Sequence, residues 1–326
     1  MNRKFDDDYN RLSLLVNVAR LYYEHDYNQG AIADKLGFSR PYISKLIAQA
    51  RDEGIVTITI NDPVQSETAI ERTLRQRFSL RKVIVIPQGA EQSTLSKVGG
   101  ACARYLDAIV SDGDIIGIAW GATMFACAQK AIIRRNLSDI TVVQLCGGIS
   151  NIERNIYASE IPKLLADALS GTAYHLPLPA IMDSAHVKQS VLAEHTIKQV
   201  MEYAKCSNIA IFSVGEIGID NAHVHAGYLN DRQLIHLKSA GAVGDICSHF
   251  IDESGALCDK ELDDRTIGLP LDEIKKKDYR IAVAIGGRKV RGICGALNGG
   301  YPNVLITDEE TAEAILKRLD ETGVIK

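Results

Sequence analysis

No apolar run in this chain reaches the roughly 18 residues that a membrane-crossing helix needs. The opening stretch MNRKFDDDYN carries acidic residues where a secretory leader needs an apolar core. Both features predict a cytoplasmic protein with no membrane partner. The seven cysteines, Cys102, Cys127, Cys146, Cys206, Cys247, Cys258 and Cys294, are scattered singly without a CxxC pair. An odd count without metal-ligand spacing argues against a disulfide framework and a zinc knuckle. The two histidines of HVH at 223 to 225 lack a third ligand at any telling spacing and read as ordinary loop or strand residues. No Ser-His-Asp spacing or paired-carboxylate motif appears, and no metal or cofactor is expected. With a formal net charge of −4 the surface as a whole is not basic, so a nucleic-acid role would have to sit in a small module. Internal repeats and low-complexity tracts are also missing.

What remains is a chain of 326 residues, 46% hydrophobic and 24% charged, of ordinary globular composition. That length suits one small domain followed by one of about 250 residues.

The small domain comes first. From Tyr9 to Tyr23 the apolar positions Leu12, Leu15, Val16, Ala19, Tyr22 and Tyr23 recur at helical spacing. Asn28 then offers an N-cap to a short second helix striped by Ile32, Ala33 and Leu36, which stops at Gly37. Ser39 caps a third helix, RPYISKLIAQARDE, where Pro41 is tolerated in the first turn and Gly54 supplies the stop. Small residues at Ala33 and Gly37 permit the close packing of a helix-turn-helix. With Ile43, Leu46, Ile47 and Ala50 inward, the third helix presents Arg40, Tyr42, Ser44, Lys45 and Gln49, able to reach base edges and phosphates of operator DNA. Asn28, Gln29 and Ser39 add candidate phosphate contacts at helix starts. The alternating IVTITIND reads as a wing ending at Pro63.

Residues 66 to 80 form an amphipathic helix, taken as a connector that also suits dimerisation. The expected domains are therefore 1–62, a linker at 63–81, and 82–326. In the last, KVIVI, DIIGIA, ITVVQL, NIAIFSV, RIAVAI and NVLI alternate with helical segments, which predicts an α/β domain with a mainly parallel sheet.

The turn in IIGIAWGATM places Gly121, Ala122 and Thr123 where a strand meets a helix, so free amides and a hydroxyl converge on an anion. ITVVQL ends in CGGIS, where Gly147 and Gly148 let backbone approach a ligand. Asp245, in GAVGDICSHF after a glycine turn, could accept from sugar hydroxyls, and Lys289, in IGGRKV, could neutralise a phosphate.

Taken in order, the helix-turn-helix, GIAWGATM, VVQLCGGIS, GAVGDICSHF, IGGRKV and NVLITDEETAEAIL resemble the SorC family of sugar-responsive bacterial transcription regulators, closest to the Gram-positive deoxyribonucleoside (DeoR-type) members. The resemblance covers nearly the whole chain. It implies a winged reader fused to an effector domain related to ribose-phosphate isomerase and glucosamine-phosphate deaminase folds. It also implies a dimer or tetramer, and the expectation is a repressor with a sugar phosphate such as deoxyribose phosphate as effector. By the same resemblance Gly121 and Thr123 belong to the phosphate turn, Gly147 and Gly148 to a second loop, and Asp245, Lys289 and Asn155 to the pocket. At one position the chain departs from the deoxyribonucleoside-type pattern, with Cys146 in place of a lysine. A thiol cannot form the imine that a lysine could, so this position offers no covalent capture of an aldehyde. The competing expectation is a sugar-phosphate isomerase-like enzyme with Asp245, Glu216 or Asp183 as base, but fold alone does not give chemistry.

Overall fold

The computed structural model describes residues 3–53, 55–56, 67–88, 94–148, 157–219 and 221–322. Gly54, most of the expected wing and Asn155 lie outside the described residues. Contacts divide the chain into two units, 1–66 and 67–326.

The first unit holds three helices: α1 (Arg3–Tyr23), α2 (Gln29–Leu36) and α3 (Arg40–Asp52). The starts of α2 and α3 are each fixed by a side-chain cap. Asn28 Oδ1 accepts from the Ala31 N–H at 2.9 Å, and Ser39 Oγ from the Tyr42 N–H at 3.3 Å. Helix α2 closes at Gly37, where the Phe38 N–H returns to the Ala33 carbonyl at 3.0 Å. Leu15, Val18, Ile32, Ile43, Leu46, Ile47 and Ala50 meet in one buried core, so each helix contributes one apolar stripe.

The second unit begins with α4 (Ala69–Arg77), capped by a Thr68–Glu71 box, then β1 (Lys82–Ile86), α5 (Thr94–Ile109), β2 (Ile115–Ile118), α6 (Ala122–Gln129) and β3 (Thr141–Gln144). There follow α7 (Glu160–Leu169), β4 (Thr172–Tyr174), α8 (Ala185–Leu192), α9 (His195–Cys206), β5 (Ile209–Phe212), β6 (Gly215–Glu216), α10 (Ala222–His225) and α11 (Asp231–Ser239). The chain continues through β7 (Gly244–Ile246), β8 (His249–Ile251), α12 (Lys260–Asp263), α13 (Leu271–Lys275), β9 (Tyr279–Val283), α14 (Val290–Asn298), β10 (Val304–Asp308) and α15 (Glu309–Thr322).

Among the described residues seven strands form one all-parallel sheet in the order β1-β10-β9-β5-β2-β3-β4. Every residue of β5 is buried. Because successive side chains point to opposite faces, both faces of the sheet are covered there. The apolar runs of the sequence follow from this. The amphipathic segment read as a connector behaves otherwise: α4 packs on β1 and α15, and its Leu74 is fully buried in the large core of the second unit. Its apolar stripe reported a helix but not its partner.

The sheet order also positions the site. From β2 the chain moves outward to β3, and from β9 it moves the other way to β10, leaving β5 between the two departures. Such a divergence opens a crevice at the carboxyl ends of the strands. A small antiparallel sheet, β6-β7-β8, stands beside it.

Candidate functional site

A cavity of about 480 Å³ opens at that divergence, within the range of small-molecule sites. Its floor is the residues that follow three neighbouring strands: Ala119 to Thr123 after β2, Ser213 to Glu216 after β5, and Ile285 to Lys289 after β9. Two of these turns use the same device. Gly121 has φ 117° and Gly286 φ 109°, a region that only glycine occupies without strain, and each aims the following helical turn back over the sheet. At α6 the first amide bonded within the helix is that of Phe125, to the Gly121 carbonyl at 2.9 Å. The amides of Ala122, Thr123 and Met124 therefore precede the helical ladder, and they lie at the positive end of an eight-residue helix. Thr123 is buried, and the Ser213 hydroxyl is buried in the cavity wall with no protein partner. A buried polar atom without a partner is costly, and a ligand would relieve it.

Charge is divided across the cavity. Lys289, at the end of the short 3-10 turn Gly287–Lys289, is half-buried, and burial pushes its ammonium below the usual lysine range despite the opposing pull of Asp245 and Glu216. Glu216 pairs with Arg288 at 3.3 Å. Asp245 lies within β7, past the left-handed turn at Gly241 and opposite Gly215 of β6. Its Oδ2 accepts from the Ser248 N–H at 3.2 Å, across the two-residue turn Cys247-Ser248. Both turn residues are left-handed, φ 51° and 72°, the geometry of a tight hairpin that usually takes asparagine and glycine.

The remaining wall is built from Trp120, Cys146, Asn221, His223 and Cys247. Trp120 is fixed by its indole N–H, which donates to the Gly147 carbonyl at 2.7 Å, and its ring centre lies 5.7 Å from that of His223. Cys146 is buried and bridges to Gly268 in an antiparallel pair. A hydrogen bond to Cys146, together with burial, raises the Cys247 thiol well above its ordinary value. His223 is fully buried, and burial lowers its pKa against the pull of Asp245.

The structure thus brings Gly121, Thr123, Cys146, Asp245 and Lys289 to one cavity. Gly147 and Gly148 do not line it. A Cβ on Gly147 would lie 2.3 Å from the Pro179 carbonyl oxygen, and Gly148 exchanges backbone hydrogen bonds with Leu178 and Ala180. The close approach that these glycines permit is to the protein's own chain. Asp183 is exposed and stands outside the cavity lining. Ser213, Asn221 and Ser248 carry no signal in the sequence, and His223, expected as an ordinary loop or strand residue, lies buried in the short helix α10 against the cavity. Gly286 of the IGGRK turn, at the end of a strand like Gly121, was a signal that could have found part of the missing wall.

In the first unit Arg40, Tyr42, Ser44 and Lys45 are all exposed on α3, while Gln29 is half-buried at the start of α2. Arg11, Tyr42, Lys45, Ala48 and Gln49 line a shallow hollow. Phe38 and Tyr42 form an exposed aromatic pair with centres 5.2 Å apart. Two of the expected groups are engaged. Ser39 caps α3, and the Gln49 amide donates to Glu53 Oε1 at 2.8 Å, which also receives Arg11 at 2.7 Å. No helix among the described residues is long and apolar enough to cross a membrane.

Residues 62–317 match the family model described as "Putative sugar-binding domain". The chain is 39% identical over 317 residues to the deoxyribonucleoside regulator of Bacillus subtilis, covering 96% of this chain and all of that one. It is 32% identical over 310 residues to the sorbitol operon regulator of Klebsiella pneumoniae, covering 94% and 98%. The crystal structure of full-length SorC from Klebsiella pneumoniae superposes with a TM-score of 0.75 at 31% identity, over 94% of this chain and 98% of that one.

Proposed function

From the premise that this chain belongs to the SorC family of transcriptional regulators with a sugar-binding domain, we propose that it is a repressor whose grip on operator DNA is loosened by a phosphorylated sugar bound at the strand-end cavity. The observation that carries the reading is the pairing, in one cavity, of free amides at the α6 start and half-buried Lys289 with the carboxylate of Asp245. The first two suit a phosphate and the third suits sugar hydroxyls. Ser213, with its unpartnered hydroxyl, joins the same set.

In the first unit α2 and α3 act as a helix-turn-helix. Arg40, Tyr42, Ser44 and Lys45 meet bases and phosphates, Gln49 joins them when it leaves Glu53, and Gln29 and Ser39 supply backbone contacts at helix starts. The chain works as a homo-oligomer on a two-fold operator in the cytoplasm. Cys146 serves as a packed wall residue, and the effector is held without a covalent bond. The enzyme reading is the weaker one, because Glu216 is tied to Arg288 and Asp245 is tied to a turn amide, while Asp183 is remote.

The test is a thermal-shift screen of pentose and hexose phosphates on the full chain, with product assays on every hit. Stabilisation without turnover is expected. Turnover of a stabilising sugar phosphate, or stabilisation by none, would overturn the proposal.

A further inference from the structure

The wall of the cavity beside Asp245 contains a hydroxyl whose hydrogen-bonding sense is set by its neighbours. Asn221 Nδ2 donates to the Glu216 carbonyl at 2.5 Å, which turns the amide oxygen of Asn221 toward His223. That oxygen accepts from the His223 N–H at 2.7 Å and lies 2.9 Å from His223 Nδ1. An amide oxygen has no proton to give, so Nδ1 of the imidazole must carry the hydrogen. Nε2 is then a bare lone pair, and it lies 2.9 Å from Ser248 Oγ. Ser248 has one hydroxyl proton, and it is committed inward to this nitrogen. What Ser248 turns to the cavity is acceptor capacity alone, next to the carboxylate of Asp245, which is also acceptor-only.

The surroundings keep this arrangement in place. His223 is enclosed by Trp120 and Phe250, with ring centres 5.7 and 5.5 Å away, and Asp245 is the charged group that faces it. Ser248 is buried and occupies a left-handed turn position where glycine would be less strained, so the hydroxyl is retained against backbone preference.

We propose that Ser248 is a specificity residue that accepts a hydrogen bond from a ligand hydroxyl, and that His223 is the positioning residue that fixes its sense. The inference rests on the effector reading above and sharpens it to a class: a fully hydroxylated phosphosugar is preferred over its deoxy counterpart. A methylene at that place would strip water from Ser248 without replacing its hydrogen bond, and a site built for a hydroxyl rejects such an analogue.

Two measurements on the full chain test this. Long-range proton–nitrogen correlation on nitrogen-15-labelled protein should show His223 as the Nδ1–H tautomer between pH 6 and 8. The Nε2–H tautomer, or an imidazolium, overturns the relay. Calorimetric titration then sets ribose 5-phosphate and glucose 6-phosphate against their single-deoxy analogues. At least one hydroxylated member should bind about tenfold or more tightly than an analogue, and Ser248→Ala should shrink that ratio to about twofold, the hydroxylated sugar binding more weakly and the analogue more tightly than to the parent. Ser248→Gly, which suits the turn and lacks the hydroxyl, serves if the alanine variant fails to fold. An unchanged ratio in either variant, or equal binding of every pair by the parent, overturns the proposal alone. Binding of none of these sugars overturns the effector reading, and this inference with it.

Discussion

Gly215 carries an unusual constraint, because a Cβ there would lie 1.9 Å from Asp245 Oδ1. The obstructing atom is the end of a side chain, so Gly215→Ala should fold with a stability cost within about 1 kcal/mol yet push the carboxylate aside. Effector affinity should fall roughly tenfold by calorimetry, and unchanged affinity would remove Asp245 from the site. Gly147→Ala meets backbone instead, the Pro179 carbonyl. It should cost about 1–3 kcal/mol, seen as a lowered Tm, with ligand preference intact. His223 gives a pH signature. Its folded pKa lies below the ordinary value of about 6.5, so the unfolded chain takes up the proton first as the solution is acidified. Stability should fall as pH drops from about 6.5 toward the folded value and level off below it. His223→Gln should flatten that part of the Tm profile. Much of this residue-level detail was hidden in the sequence. Asp245 and Lys289 stand out as charges beside glycines, whereas Ser248 and His223 acquire meaning only from the turn and cap that bring them together.

At the scale of elements, the six apolar runs read as strands each hold a strand of the parallel sheet, because a strand buried on both faces must be apolar throughout. The β4 edge, with only Thr172–Tyr174 and partly exposed, was too short and too polar to signal itself. Strands β6, β7 and β8 hold two or three residues each, below the length at which alternation can be recognised. Gly215 and Ser248 of the cavity wall went unread with them. Helix α3 was legible because cap, first-turn proline and apolar stripe agree. Its exposed face yields a prediction by element: Lys45→Ala should weaken operator binding across all sequences and lessen its salt dependence, while Tyr42→Ala should act on some sequences more than others. Anisotropy titrations over salt separate the two, and unchanged affinity in both would contradict the assignment of α3 as the reading helix.

For the whole molecule, the family and its regulatory role rest on a match over nearly the full chain, which divides into two compact units. An effector changes operator affinity only through the difference in its affinity for the DNA-competent and released states, and the coupling is reciprocal. Operator DNA should therefore weaken sugar-phosphate binding by the same factor by which the sugar phosphate weakens operator binding. The most direct measurement is anisotropy of a labelled operator duplex, selected by its binding to the full chain, titrated with the parent and with Lys289→Ala in the presence and absence of a stabilising sugar phosphate. The sugar phosphate should weaken operator binding by the parent roughly tenfold or more, within the usual range of allosteric coupling, and leave Lys289→Ala bound as tightly as without it. An equal response in both proteins would remove Lys289 and its cavity from effector control of operator binding.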